Sequence, residues 1–188
     1  MDKLRIIGEI HNEDHEDFLT LLEYVSGIKP TEKVSIECPW SIENLLMEKC
    51  PSTMGSKATR RIVQILTQNR IEIKPVEDLE LYKKHKECLN VYGGLDHHMK
   101  GVFHELCCLR TVALYELALA NNSDILITGA LHAYELDLLK HDSVNLVMIS
   151  NPTEEQKELS KKTIDRYLAG EFNRESVLRL NISPMLRY

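Results

Sequence analysis

Two histidines with the same local signature carry the first sign of chemistry: His11 in Gly8-Glu9-Ile10-His11 and His132 in Gly129-Ala130-Leu131-His132. Carboxylates accompany them in a pattern, with Glu9 inside the first motif, Glu37 closing an apolar run, and Glu77-Asp78 following another. Neutral imidazole and carboxylate together are the donors that a divalent transition ion such as Mn²⁺, Co²⁺ or Zn²⁺ accepts, and a bound ion lowers the pKa of a water toward neutrality. The same residue types also work without a metal, with a histidine as general base and a carboxylate orienting it. The residue types leave both chemistries open.

These groups belong together only if the elements around them deliver them to one place. Leu4-Arg5-Ile6-Ile7 and Asp124-Ile125-Leu126-Ile127-Thr128 read as strands, and each runs into a Gly-x-x-His motif followed by a helical pattern. Lys33–Cys38 reads as a second strand closed by Pro39, Ile71–Lys74 as a third ending at Pro75, and Val144–Ile149 as a fifth. Between them lie helical stretches. One is expected from Glu13 to about Ser26 with Asn12 as its N-cap, since Phe18, Leu21, Leu22 and Val25 form an i, i+3, i+4, i+7 stripe and Gly27 is a natural stop. Others are expected over roughly Ser41–Lys49, Met54–Asn69, Met99–Asn121, Ala133–Lys140 and Thr153–Leu168. Leu79–Gly94 reads as helix then loop, with Gly93-Gly94 as the break.

This alternation predicts a single-domain α/β fold over residues 1–188, a mostly parallel sheet with helices on both faces. In such sheets ligands bind in the crevice outside the strands' carboxyl ends. Glu9, His11, Glu37, Glu77, Asp78 and His132 all fall at such ends, so the prediction is one cleft of mixed carboxylate and imidazole. Arg110 joins it. It lies on the inward stripe of the long helix, where an arginine requires an anionic partner.

Other clusters have simpler readings. His97-His98, His104 and Cys107-Cys108 place a histidine and a cysteine at i, i+4, but without a second ligand pair they read as loop histidines and core cysteines. His15 reads as solvent-facing, Met54-Gly55-Ser56-Lys57 as an ordinary helix start, Asp78 as a group of the site or a helix cap, and Lys83-Lys84-His85-Lys86 as a solvated face.

Bulk composition narrows the function. In 188 residues, 43% hydrophobic, 23 basic residues face 29 acidic ones for a net charge of −6, which argues against nucleic acid as the main partner. Five cysteines, an odd number with no Cys-x-x-Cys, suit reduced thiols in a cytoplasm. Neither a signal-peptide core nor a membrane-spanning run is expected, so the sequence reads as a soluble cytoplasmic protein.

The order of these motifs resembles the superfamily that includes TraB/PrgY, Tiki, erythromycin esterase and ChaN proteins. The matching positions are Gly8 and His11, Glu37, Arg110, and Gly129 and His132, with Glu9 giving the Gly-Glu-x-His form of the esterase and ChaN branches. The resemblance runs from residue 4 to about 150. It implies an α/β core with a shared active cleft and, in different branches, metal-dependent peptide cleavage, macrolide lactone hydrolysis or haem binding. The expected function is hydrolysis of an ester or peptide bond in a small-molecule or peptide substrate. Glu9, His11, Glu37 and His132 would surround a divalent metal or an activated water, with Arg110 supporting them. The alternative is a non-catalytic protein binding haem or another small ligand through the same histidines.

Overall fold

Four of the five strands, all but the last, end at or shortly before a residue of the expected cleft. The computed structural model describes residues 3–9, 11–91 and 97–180, apart from the side chains of 54, 90, 91 and 97–100. The strands are β1 (Leu4–Glu9), β2 (Lys33–Glu37), β3 (Glu72–Val76), β4 (Ile125–Gly129) and β5 (Val144–Met148). They form one parallel sheet in the order β3-β2-β4-β1-β5. β4 thus sits between β1 and β2, pairing Glu9 with Gly129 on one side and Ile36 with Ile127 on the other. Eight α-helices are described: α1 (Phe18–Ser26), α2 (Ile42–Leu46), α3 (Met54–Gln68), α4 (Leu79–Val91), α5 (His97–Ala120), α6 (Ala130–Lys140), α7 (Glu154–Leu168) and α8 (Arg174–Leu178).

Alternation along the strands divides the core. Ile7, Val34, Ile36, Ile125 and Ile127 pack with the stripes of α1, α2 and α3 (Phe18, Leu21, Val25, Leu45, Ile62, Leu66). Ile6 and Leu126 point the other way, onto Leu114 and Ala118 of α5 and Ala133 and Leu136 of α6. A parallel sheet buried on both faces is the arrangement that such apolar runs require. A third cluster, with Leu81, Cys88, Leu106, Leu109, Ile164 and Val177, joins α4, α5, α7 and α8 outside that second layer.

Several boundaries differ from the expected ones, for identifiable reasons. α1 begins at Phe18 rather than near Glu13. Asn12 spends its side chain on the Asp14 N–H, and His15 accepts from Asp17, so residues 12–17 close into turns before the helix can propagate. β3 continues through Pro75 to Val76, which is tolerated because β3 is an edge strand and a missing N–H costs nothing on the open side. α6 begins at Ala130, directly after Gly129, so His132 lies in its first turn rather than in a loop. α5 ends as expected at the asparagine pair, with Asn122 in the left-handed region at φ 51°. α8 was not foreseen. Gly93-Gly94 and the side chains of His97 and His98 lie outside the described residues. Among the described residues no helix is long and apolar enough to cross a membrane.

Candidate active site

The glycine of each motif makes room for the other motif, Gly8 for the helix that carries His132 and Gly129 for His11 itself. A Cβ on Gly8 would stand 2.6 Å from the Ala133 Cβ and 2.8 Å from the Met148 Sδ, so this glycine lets α6, the helix carrying His132, close onto β1. A Cβ on Gly129 would stand 3.3 Å from His11 Nε2 and 3.6 Å from Glu37 Oε2, so its absence leaves the space that His11 and Glu37 face. Neither glycine has a positive φ. Close approach, not backbone freedom, is what both positions require.

Glu37 is the hub. It is the last residue of β2, beside β4 and the start of α6. Its Oε2 accepts from Thr128 Oγ1 at 2.7 Å and from the Gly129 N–H at 2.9 Å, the latter at the positive end of α6. Its Oε1 accepts from Arg110 Nη2 at 2.8 Å. The two histidines meet the same carboxylate on different oxygens, His11 Nε2 lying 3.4 Å from Oε2 and His132 Nε2 3.7 Å from Oε1. Burial alone would raise this carboxyl group, but His132, His11 and Arg110 outweigh it and hold it well below the usual carboxylate range.

Each imidazole is anchored at its other nitrogen. His11 Nδ1 lies 2.5 Å from Oε1 of Glu9, a side chain only 1% exposed. Burial works against a charged His11, yet Glu9 and Glu37 outweigh it, raise its pKa well above the ordinary 6.5 and favour the charged ring. His132 Nδ1 lies 2.6 Å from Thr111 Oγ1, and the Thr111 hydroxyl donates in turn to Glu135.

Arg110 is buried against α4 and the end of β3. Glu77 accepts from its Nε at 3.1 Å and from its Nη2 at 2.5 Å, a bidentate pair, while Nη2 also reaches Glu37. Its Nη1 faces His85 Nδ1 at 3.4 Å, and the Tyr82 ring lies 5.4 Å from the guanidinium carbon. Burial alone would lower its pKa, but the two carboxylates raise it further. The expected anionic partner of Arg110 is therefore a pair, Glu37 and Glu77.

The expected cluster thus assembles as Glu9, His11, Glu37, Glu77, Arg110 and His132. Asp78 does not join it. Its carboxylate caps α4 by accepting from the Glu80 and Leu81 N–H groups, and pairs with Arg174. His85 corrects the reading of a solvated face. Burial, with help from Arg110 and His132, lowers its pKa to about 3, and its Nε2 lies 3.2 Å from Cys107 Sγ. With Nδ1 accepting from Arg110, the neutral ring carries its proton on Nε2 and donates to that sulfur. His85 follows Leu81 by four residues and precedes Cys88 by three, so it lies on the apolar stripe of α4, a signal the lysines beside it obscure. Thr111, Thr128 and Glu135 carry no motif, although Glu135 follows His132 by one helical turn. His104 sits edge-on to Phe103, Cys108 is buried in the outer apolar cluster, and Thr53 and Ser56 form a reciprocal cap that makes Met54–Lys57 a plain helix start.

Comparison with protein-family models, curated proteins and solved structures gives no match. The site is therefore argued from its own geometry. Its donor types suit Mn²⁺, Co²⁺ or Zn²⁺, and one buried oxygen, Glu9 Oε2, has no hydrogen-bond partner. Against this, Thr128, Gly129 and Arg110 already occupy the Glu37 oxygens. Among the described residues no group of three or more His, Cys, Asp or Glu side chains stands at metal-holding geometry.

Proposed function

We propose that the protein is a hydrolase of ester or peptide bonds in which His132 is the general base and His11 the general acid. What carries this reading is the placement of two imidazoles against opposite oxygens of one buried carboxylate, Glu37, at the carboxyl ends of parallel strands. On this reading the two rings are in different states. His11, between Glu9 and Glu37, holds a proton it can give. The Thr111 hydroxyl has one proton and a carboxylate to take it, so its oxygen accepts from His132 Nδ1–H and leaves the lone pair of the neutral ring on Nε2.

The reaction then balances. His132 Nε2 takes a proton from water as the water oxygen bonds to the carbonyl carbon. His11 hydrogen-bonds the developing oxyanion and gives its proton to the alcohol or amine as the carbon–oxygen or carbon–nitrogen bond breaks; His132 then releases its proton to solvent and His11 takes one up, which restores both rings. Glu37 keeps both rings in place and stabilises His132 once it is charged, and Arg110 with Glu77 fixes Glu37.

A metal-assisted version of the same hydrolysis has one observation of its own. Both Nδ1 atoms are anchored, His11 on a carboxylate and His132 on a hydroxyl that a carboxylate holds, which is how metal-binding imidazoles are oriented. In that version the Nε2 atoms of His11 and His132, with Glu9 or Glu37, would hold a divalent ion that lowers the pKa of a water.

The test is a panel of esters and peptides offered to the purified protein before and after chelation, with Mn²⁺, Co²⁺ or Zn²⁺ added back, alongside a haemin titration. Turnover that survives chelation is the expected result. Turnover lost on chelation and restored by an ion selects the metal version. No turnover under any condition, with a Soret band on adding haemin, replaces hydrolysis with ligand binding.

A further inference from the structure

Behind His132 lies a buried polar relay that spans three helices. Thr111 of α5, Glu135 of α6 and Ser160 of α7 are each at most 1% exposed. Glu135 Oε1 accepts from Ser160 Oγ at 2.8 Å, and Oε2 accepts from Thr111 Oγ1, which also touches His132 Nδ1. The direct distance from His132 Nδ1 to Glu135 Oε2 is 3.8 Å, too long for a hydrogen bond. Thr111 is the bridge.

Two hydroxyls do not neutralise a buried carboxylate. Such an anion is costly in the interior unless a cation faces it, and among the described residues Glu135 pairs with no lysine or arginine. The histidine paired with it is His132, which acquires positive charge when it takes a proton.

We propose that Glu135 is a positioning residue that acts on His132 through Thr111, fixing the ring as its Nδ1–H tautomer and stabilising the imidazolium that forms during turnover. The proposal rests on the reading of His132 as the base. No proton passes to Glu135; it orients and compensates charge, as the buried acid of a serine-hydrolase triad does, with a hydroxyl interposed. Ser160 holds the second oxygen and so ties α7 to the site, which gives that charged surface helix a polar anchor at its buried face.

The test reads the tautomer without substrate. In protein with ¹⁵N-labelled histidine, the His132 ring nitrogens are assigned at a pH where the ring is neutral, for wild type, Thr111→Ser and Thr111→Val. The expected result is Nδ1–H in wild type and Thr111→Ser. In Thr111→Val the acceptor at Nδ1 is gone and the ring turns to Nε2–H, directed at Glu37. Thermal unfolding checks that each variant folds, and Thr111→Ser keeps the test decisive if Thr111→Val does not. Nε2–H in wild type, or Nδ1–H in a folded Thr111→Val, overturns the relay. With a substrate from the hydrolase panel, Glu135→Leu keeps the tautomer, because Thr111 then donates to the Cys107 carbonyl at 3.0 Å. It lowers kcat on the order of 100-fold or more at unchanged KM. An unchanged kcat overturns the charge-stabilising role. A protein without turnover but with the Nδ1–H tautomer loses the hydrolase reading alone.

Discussion

Replacing Glu37 by glutamine keeps the shape of the hub and removes its charge, which makes the cost countable. The carboxylate accepts from Arg110 on one oxygen and from Thr128 and the Gly129 N–H on the other. An amide has one acceptor end. Turned so that its oxygen meets Gly129, whose N–H cannot rotate away, its NH₂ faces the Arg110 guanidinium, donor against donor. Turned the other way, it confronts the Gly129 N–H instead. Either orientation loses at least one bond to a buried partner, worth about 1.5–3 kcal/mol where the partner is charged, and adds a donor conflict. The total is about 2–4 kcal/mol. Arg110 retains its bidentate bond to Glu77, so the loss stays below the full cost of an unpaired buried charge. With a urea m-value of about 2 kcal/mol per molar, the midpoint should fall by about 1–2 M. NMR titration of His11 should fall in parallel, because Glu37 is one of the two carboxylates that raise it. A midpoint within error of wild type, or an unmoved His11 titration, would refute the role of Glu37 as the charge that organises the cluster.

The two glycines should separate fold from site. Gly8→Ala forces a Cβ against Ala133 and Met148 and should cost about 1–3 kcal/mol in a denaturant melt. Gly129→Ala, at φ −57° and against the movable ends of His11 and Glu37, should change stability by less than about 1 kcal/mol yet lower turnover on the order of 100-fold by displacing His11. Stability against pH should carry both signs of the site. Glu37, depressed in the fold, contributes above the ordinary 4.5 and loses its contribution as pH falls through its lower folded value; His11, raised in the fold, contributes below 6.5 and loses it as pH rises through its higher one. Their joint contribution is complete between about pH 4.5 and 6.5. His11→Gln should lose the alkaline limb of a pH series of urea melts and keep most of the acid limb, which His132 and Arg110 still support.

The sheet and the cluster at its strand ends were legible because strand ends and site residues coincide in the chain. Ile6-Ile7 runs directly into Gly8-Glu9, and Ile125–Thr128 into Gly129, so hydrophobic pattern and motif locate each other. What the pattern could not show was pairing across the sheet. The order of β4 between β1 and β2 brings Glu37 to the Gly129 N–H, and only that order reveals why the glycines matter crosswise. Local side-chain chemistry explains the misplaced boundaries, as where Asn12 and His15 capture backbone N–H groups and delay α1 to Phe18. His85 was hidden by composition. Flanking lysines made a surface of its neighbourhood, although helical spacing from Leu81 to Cys88 placed it inward. Thr111 and Glu135 carried no motif, because a threonine and a glutamate on amphipathic helices are ordinary until the packing of α5 and α6 brings them together. Asp78 already read in sequence as a group of the site or a helix cap, and nothing there chose between the two. The register, with Glu37 opposite Val76, sends Glu77 to Arg110 and Asp78 to the cap of α4.

The central claim is that His132 performs chemistry rather than holding the fold, and turnover of His132→Ala beside wild type tests it most directly. On any ester or peptide the wild type hydrolyses, the account predicts that His132→Ala loses turnover by at least about 100-fold while its thermal unfolding stays cooperative. Retained turnover in His132→Ala would contradict it, as would a loss matched by loss of folding.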